Sequence, residues 1–299
     1  MQTHTSQGNR GAAIDQLSER DAMSAMLTSH IAALEAARSA IADISAAGAL
    51  VARTVAAGGT VHYAAAGSSG LMALADACEL PGTFQISPGQ IRIHMAGGVP
   101  TEGVMPGSTE DDREDAARAA CAVDQNDVAI VVSASGTTPY ALAFAEAACA
   151  RGVSVIGIAN TANSALLAAS DVAISLNTAP EVVEGSTRLA AGTAQKAVLN
   201  MISTQVGVLL GHVHDGLMIN LNPDNIKLRQ RASDIVARIA CVAADDADEA
   251  LRMTGYNAKL ATLVAAGAGL SEAKVLLTQN RGHLRACLRD VAPKTKPNT

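Results

Sequence analysis

The sequence predicts an α/β fold: an αβα sandwich around a central parallel sheet, followed by a small C-terminal helical unit. Three observations predict it. Short apolar runs of strand length alternate with longer Ala-rich helical stretches, the order that gives parallel strands joined by crossover helices. Hydrophobic residues make up 49% of the chain but aromatics only 2%, and Trp is absent. Such a core of Ala, Val, Leu and Ile suits helices laid closely on a sheet buried on both faces. Finally, 299 residues are ample for one large α/β domain or two smaller ones.

In chain order, residues 1 to about 13 read as a loose polar tail, and Ala22 to Val55 as Ala-rich helix. A strand at Val61–Ala66 feeds a glycine-serine turn and then a helix expected to end near Leu80, because the residue before Pro81 avoids helical geometry. A short strand, Ile91–Met95, leads to Gly97-Gly98, and an acidic helix is expected from near Ser108 to Val123. Val128–Val132 is an apolar strand, followed by SASGTTP and a helix from Tyr140 to about Arg151, stopped by Gly152. Strands at Val153–Ile158 and Val172–Leu176 flank a short helical piece, and a long helix is expected from about Ser186 to Leu210. Beyond Asn220 the chain reads as helical, with a break near Ala244–Asp246. These boundaries divide the chain into an N-terminal helical segment (1–50), a central α/β domain (51–244) and a helical C-terminal unit (245–299).

The bulk chemistry narrows the partners. A formal net charge of −6 argues against nucleic acid, which needs a basic face, and no basic helix-turn-helix segment is present. The five cysteines are scattered, without CxxC pairs or metal spacing, which predicts reduced thiols in a cytoplasmic protein. The N-terminus MQTHTSQGNRG lacks a signal-peptide apolar region. No apolar run reads as long enough to cross a bilayer, so no membrane partner is expected.

Two serine-glycine loops carry the binding signal. Each follows an apolar strand and precedes a helix, which is the carboxyl edge where open α/β sheets bind ligands. Ser68, Ser69, Ser133, Ser135, Thr137 and Thr138 supply hydroxyls beside flexible glycine amides, a cradle for a phosphate or sugar hydroxyls. Either loop alone reads equally as cap and turn; two on neighbouring elements favour binding. Neither GxGxxG nor GxxxxGK[ST] occurs, so a nucleotide is disfavoured. Glu181 and Glu184 precede the long helix as caps or ligand contacts, with Ser186 at its expected start. Arg188 and Lys196 fall roughly on one face of that helix. His212 and His214 have a spacing usable for a metal in a strand, but no carboxylate or cysteine cluster joins them. His94 reads as a strand-end histidine with its bonds satisfied.

Two carboxylates stand apart. Glu79, expected at a helix C-terminus between Cys78 and Leu80, meets the negative helix end and apolar neighbours. Both favour the protonated form that a general acid needs. Glu110, in GSTEDDRED, is expected in the first turn of a helix capped by Ser108 or Thr109. That positive end favours the charged form a base needs, although a solvated first-turn acid has the same pattern. Paired carboxylates in opposite settings are a candidate acid/base pair.

These motifs resemble a known family. GSSGLMALADACELPGTF (67–84), SASGTTPY (133–140), PEVVEGSTRLAAGTAQKAVLNMIST (180–204) and GLMINLNPDNIKL (216–228) are similar to the N-acetylmuramic acid 6-phosphate etherases. That family belongs to the sugar isomerase (SIS) fold group, and the resemblance spans roughly residues 50–290. It implies a SIS-type sandwich, usually homodimeric, that binds a small-molecule sugar phosphate. The implied reaction cleaves the lactyl ether at C3 of the sugar by elimination and hydration, without metal or cofactor. The family's catalytic acid falls on Glu79 and its second catalytic glutamate on Glu110. Two other readings of the fold stay open: a non-catalytic sugar-phosphate-binding regulator, and a SIS-type phosphosugar isomerase. The chain also departs from the family. Leu71 and Thr137 stand where arginine is usual, Glu184 adds a negative charge, and Ala190 replaces a lysine. The N-terminal portion does not match the family's usual opening.

Overall fold

The computed structural model describes residues 13–291; the loose tail expected over residues 1–12 lies outside them. Helix α1 (Glu19–Ala36) starts at Ser18, whose hydroxyl accepts the Asp21 amide at 3.2 Å. A 3-10 turn, Ala37–Ala40, joins it to α2 (Ile41–Ala56). Glu19–Ala56 is thus a 38-residue helical stretch, long and apolar enough to cross a membrane by length and composition alone. That corrects the expectation that the chain has no such run. Its apolarity also has a place in the fold: Ala33, Ala40, Ile44, Ala47 and Val51 are buried in the main core.

Strand β1 (Val61–Ala65) follows, then α3 (Gly67–Phe84), β2 (Ile91–Met95), α4 (Arg113–Ala120), β3 (Val128–Ser133) and α5 (Pro139–Ala150). Next come β4 (Ser154–Ala159), the single turn α6 (Ala165–Ala168), β5 (Val172–Ser175) and α7 (Ala190–Leu209). The five strands form one parallel sheet in the order β2-β1-β3-β4-β5. Side chains alternate across it with period two. Tyr63, Ile130 and Val132 enter the core under α1, α2, α3 and α7, whereas Ala64, Ala129 and Val131 enter the core under α4 and α5. The sandwich expected from the apolar strands is therefore present.

A two-stranded hairpin that periodicity did not signal, β6 (Val213–His214) with β7 (Leu217–Met218), leads out of the sandwich. Its turn, Asp215-Gly216, has positive φ at both residues, the conformation favoured in two-residue hairpins. Helices α8 (Ile226–Ala240), α9 (Ala244–Met253), α10 (Ala258–Ala266), α11 (Leu270–Gln279) and α12 (Leu284–Asp290) follow. A third core, from Ile219 to Cys287, joins α8 to α9–α12, so this packing begins ahead of the break read near Ala244.

A buried carboxylate ties the site-bearing helix to its neighbours. Asp76 of α3 accepts hydrogen bonds from Tyr63 Oη at 3.0 Å, Asn200 Nδ2 at 2.8 Å and Ser203 Oγ at 2.8 Å. It thereby links β1, α3 and α7. Burial pushes its carboxyl above the usual value of 3.8, against the pull of those bonds. Asp76→Ala should cost about 3–5 kcal/mol, because it orphans three buried donors. Asp76→Asn should cost much less, since its oxygen accepts from Asn200 and Ser203 while its amide meets Tyr63. A carboxyl raised in the folded state contributes stability below 3.8 that is lost as pH rises through its folded value. The melting temperature of Asp76→Asn should therefore gain on the parent between pH 4 and 7; thermal melts across that range check it.

Candidate active site

The β1–α3 junction builds the first wall. Gly67 has φ +54°, in the left-handed region, and a Cβ there would collide with Glu110 Oε1. The carboxylate of Glu110 thus lies against the first residue of α3. Glu110 was expected in the first turn of the acidic helix, but it lies ahead of that helix. Thr109–Asp111 forms a separate 3-10 turn, and the acidic helix starts later, at Arg113. Its N-cap is Asp112, which accepts the Asp115 amide at 2.8 Å, and not Ser108 or Thr109. Beside Glu110, Ser68 is half-buried and Ser69 buried in the first turn of α3.

The second loop leaves the neighbouring strand at the same edge, since Ala65 pairs with Val132. Its hydroxyls bond chiefly to one another. Ser133 Oγ is 2.8 Å from Thr138 Oγ1 and accepts the Gly136 amide at 3.0 Å. Ser135 Oγ accepts from the Thr137 amide at 3.2 Å and the Thr137 hydroxyl at 3.0 Å. This network fixes the loop before any ligand arrives.

Next to it opens a cavity of about 630 Å³, lined in part by Ser135, Asn160, Thr161, Glu181, Glu184 and Ser186. Helix α7 begins at Ala190, four residues later than expected, because Glu181 caps it. Its two oxygens accept the Ala190 and Ala191 amides at 2.9 and 3.0 Å. Glu181 therefore contributes to the wall as a cap, and the first amides of α7 are spent on it. Arg188 precedes the helix instead of sharing a face with Lys196. Of the departures from the family pattern, Glu184 lines the cavity. Ala190 is buried at the start of α7, Thr137 is exposed on the second loop, and Leu71 is half-buried on α3.

Glu79 is not brought to this cavity. Helix α3 continues through Pro81 to Phe84, and Gln85 closes it in the left-handed region at φ 51°. Glu79 is thus not terminal. It and Cys78 are exposed, whereas Leu80 is buried. Neither a helix C-terminus nor burial surrounds its carboxyl within this chain, which corrects both grounds on which the sequence assigned it an acid's setting.

Asn160 was missed. It directly follows β4 at the binding edge, and that position was the available signal. Only 6% exposed, it receives Gln195 Nε2 at 2.8 Å and faces the cavity. Among the described residues no group of three or more His, Cys, Asp or Glu could hold a metal ion. His212 is held down to about 4 by burial, and His214 lies beside Asp215 at 3.5 Å. His94 has a richer setting than expected: its Nε2 is 2.9 Å from His62 Nδ1, and His62 Nε2 is 3.1 Å from Asp127 Oδ2. Burial holds His94 down to about 4.

Comparisons with known proteins agree with this architecture. Residues 26–160 match the SIS domain family. The solved structure of c3406 from E. coli CFT073 superimposes with a TM-score of 0.50 at 16% identity, covering 67% of this chain and 97% of that one; this likeness concerns the fold. The N-acetylmuramic acid 6-phosphate etherase of Streptomyces coelicolor is 42% identical over 234 residues, 77% of this chain and 75% of its own. That of Deinococcus radiodurans is 36% identical over 280 residues, 93% of this chain and 92% of its own. At such identity over most of its length, the chain belongs to the N-acetylmuramic acid 6-phosphate etherase family.

Proposed function

We propose that the protein is a carbon–oxygen lyase that cleaves the D-lactyl ether of N-acetylmuramic acid 6-phosphate or a related 3-O-substituted amino sugar, in cell-wall amino-sugar recycling. The observation that carries this reading is the carboxylate of Glu110 against the first residue of α3, at the sheet edge that also bears the second hydroxyl loop and, past that loop, a cavity of about 630 Å³. Family membership supports the substrate class, and the relatives' names favour an etherase over a regulator or an isomerase.

The chemistry follows from the sugar. In the open-chain form the proton on C2 lies beside the aldehyde. Glu110 takes that proton, the C3–O bond breaks, and Glu79 protonates the departing lactate oxygen. Water then adds to C3 of the unsaturated aldehyde: Glu79 removes the water's proton and Glu110 returns one to C2. Each positioned proton transfer contributes roughly 10²–10⁴ in rate. Ser68, Ser69, Ser133, Ser135, Thr137, Thr138 and Ser186 present hydroxyls or amides to the sugar and its phosphate, and Glu181 holds the wall. No cofactor enters the scheme.

A homodimer is part of the proposal. Met23, Leu27, Ile31 and Leu34 of α1 are 59%, 62%, 54% and 45% exposed, and their spacing puts them in one stripe. Larger exposed apolar patches mark interaction surfaces. Sedimentation at micromolar concentration should give a dimer; a monomer would remove this part. We also place the protein in the cytoplasm, consistent with five unpaired cysteines, four of them exposed.

Incubation with the muramate phosphate should release D-lactate, and an aldose–ketose interconversion without lactate would favour the isomerase instead. Glu110→Gln should stop exchange of the C2 proton with solvent. Glu79→Gln should keep ligand binding and cut turnover by about 10²–10⁴, with exchange retained.

The altered positions bear on the phosphate. Charged contacts of the kind an arginine makes contribute about 1.5–3 kcal/mol each, and two such positions hold Leu71 and Thr137. Glu184 in the cavity wall and the α7 amides taken by Glu181 weaken anion binding further. Discrimination between the 6-phosphate and the free sugar should therefore be poor, and Leu71→Arg with Thr137→Arg should tighten the phosphorylated sugar selectively. Calorimetric titration of both proteins with both sugars reads this out. A wild-type preference of roughly a thousandfold, about 4 kcal/mol, would contradict it.

A further inference from the structure

We propose that the C-terminal helical unit carries a second ligand site, an arginine-rimmed cleft that takes a small organic phosphate. The cleft is a cavity of about 440 Å³ bounded by the β6–β7 hairpin, α8 and α12, a volume within the range of small-molecule sites. It stands apart from the sheet-edge cavity, which opens at the first turn of α7. The hairpin instead follows the last turn of that helix. The 20 residues of α7 span about 30 Å at a rise of ~1.5 Å per residue. None of the etherase chemistry uses this cleft, so the inference goes beyond that reading and does not depend on it.

Charge is the first ground. The chain is acidic, with 28 Asp and Glu against 22 Lys and Arg. The described residues that line this cleft reverse the balance: Arg238, Arg285 and Arg289 stand against the carboxylate of Asp215. Arg285 is ion-paired to Asp215. Arg238 and Arg289 are exposed and make no hydrogen bond or ion pair with a described residue. Arg285 and Arg289 lie four residues apart on α12, so they share a face, and Arg238 reaches the same cavity from α8. Like charges gathered in this way repel one another. A bound phosphate dianion turns that repulsion into attraction, and each guanidinium offers it a planar fork of donors.

The lining supplies the second ground. His214 is only 7% exposed, and it borders the cavity. Its Nε2 stands 3.5 Å from Asp215 Oδ2, and its ring makes no hydrogen bond with a described residue. Buried polar groups ordinarily have partners, and an imidazole nitrogen left open at a cavity wall suits a ligand oxygen. Leu217, Ile239 and Leu288 add apolar side chains to the same wall. Inorganic phosphate would leave these three uncovered. An ester with an apolar body fits better, its phosphate among the arginines and its body on Leu217, Ile239 and Leu288.

Calorimetric titration of the full chain with phenyl phosphate and with inorganic phosphate, at constant ionic strength, tests it. Phenyl phosphate should bind about tenfold more tightly, the gain for ~60 Å² of apolar surface taken out of water. Arg238→Gln combined with Arg289→Gln should weaken phenyl phosphate by at least about tenfold. Arg252→Gln, at an exposed arginine of α9 outside the cleft, should bind as wild type does. In proton NMR the ring resonance of His214, assigned by its loss in His214→Gln, should shift as phenyl phosphate is added. Unchanged binding in the double variant, an equal loss in Arg252→Gln, or an unmoved His214 resonance overturns the site. Equal affinity for the two probes overturns an organic ligand. Neither readout uses lactate release, so the cleft and the etherase reading fail separately.

Discussion

The structure depends on the junction where β1 becomes α3. Gly67 turns there with positive φ and no side chain, which lets a carboxylate from a distant loop rest on the helix end. A side chain at this position would carry the strain of the left-handed region and also fill the space of Glu110. The hydroxyl loop of the adjacent strand and the cavity beyond it stand along the same sheet edge.

The second constraint is the stiffness of α3 against α7. A buried carboxylate normally costs stability, and Asp76 offsets that cost by accepting three hydrogen bonds. The bonds join three elements, so the helix cannot slide or bend without leaving buried donors unpaired. Glu110 meets the first residue of this helix, and Glu79 faces outward further along it.

Much of this was legible in the sequence. The apolar runs at 128–132 and 153–158 could only be strands buried on both faces, and serine-glycine turns after such strands mark a binding edge. The misreadings share a cause, namely tertiary contacts that override local signals. Pro81 disfavours helical geometry before it, yet α3 passes through because Leu80 and Phe84 are buried in the core. The acidic stretch begins its helix at Arg113 because Asp112, not Ser108, supplies the cap. Helix α7 starts late because Glu181, nine residues upstream of Ala190, reaches its amides. None of these contacts has a local pattern. The misplaced stop at Leu80 also gave Glu79 a helix-end setting that it lacks, since α3 runs on to Phe84.

The account's central claim is that the carboxylate of Glu110, held over Gly67, is the base. Gly67→Ala tests it most directly, because a methyl group there displaces that carboxylate and leaves every glutamate in the sequence. Exchange of the sugar's C2 proton with solvent deuterium, followed by NMR, reports the base step alone. The account predicts that exchange falls by about 10²-fold or more while circular dichroism and dimerisation stay as in the parent. Exchange at the parental rate in a folded Gly67→Ala dimer would contradict it.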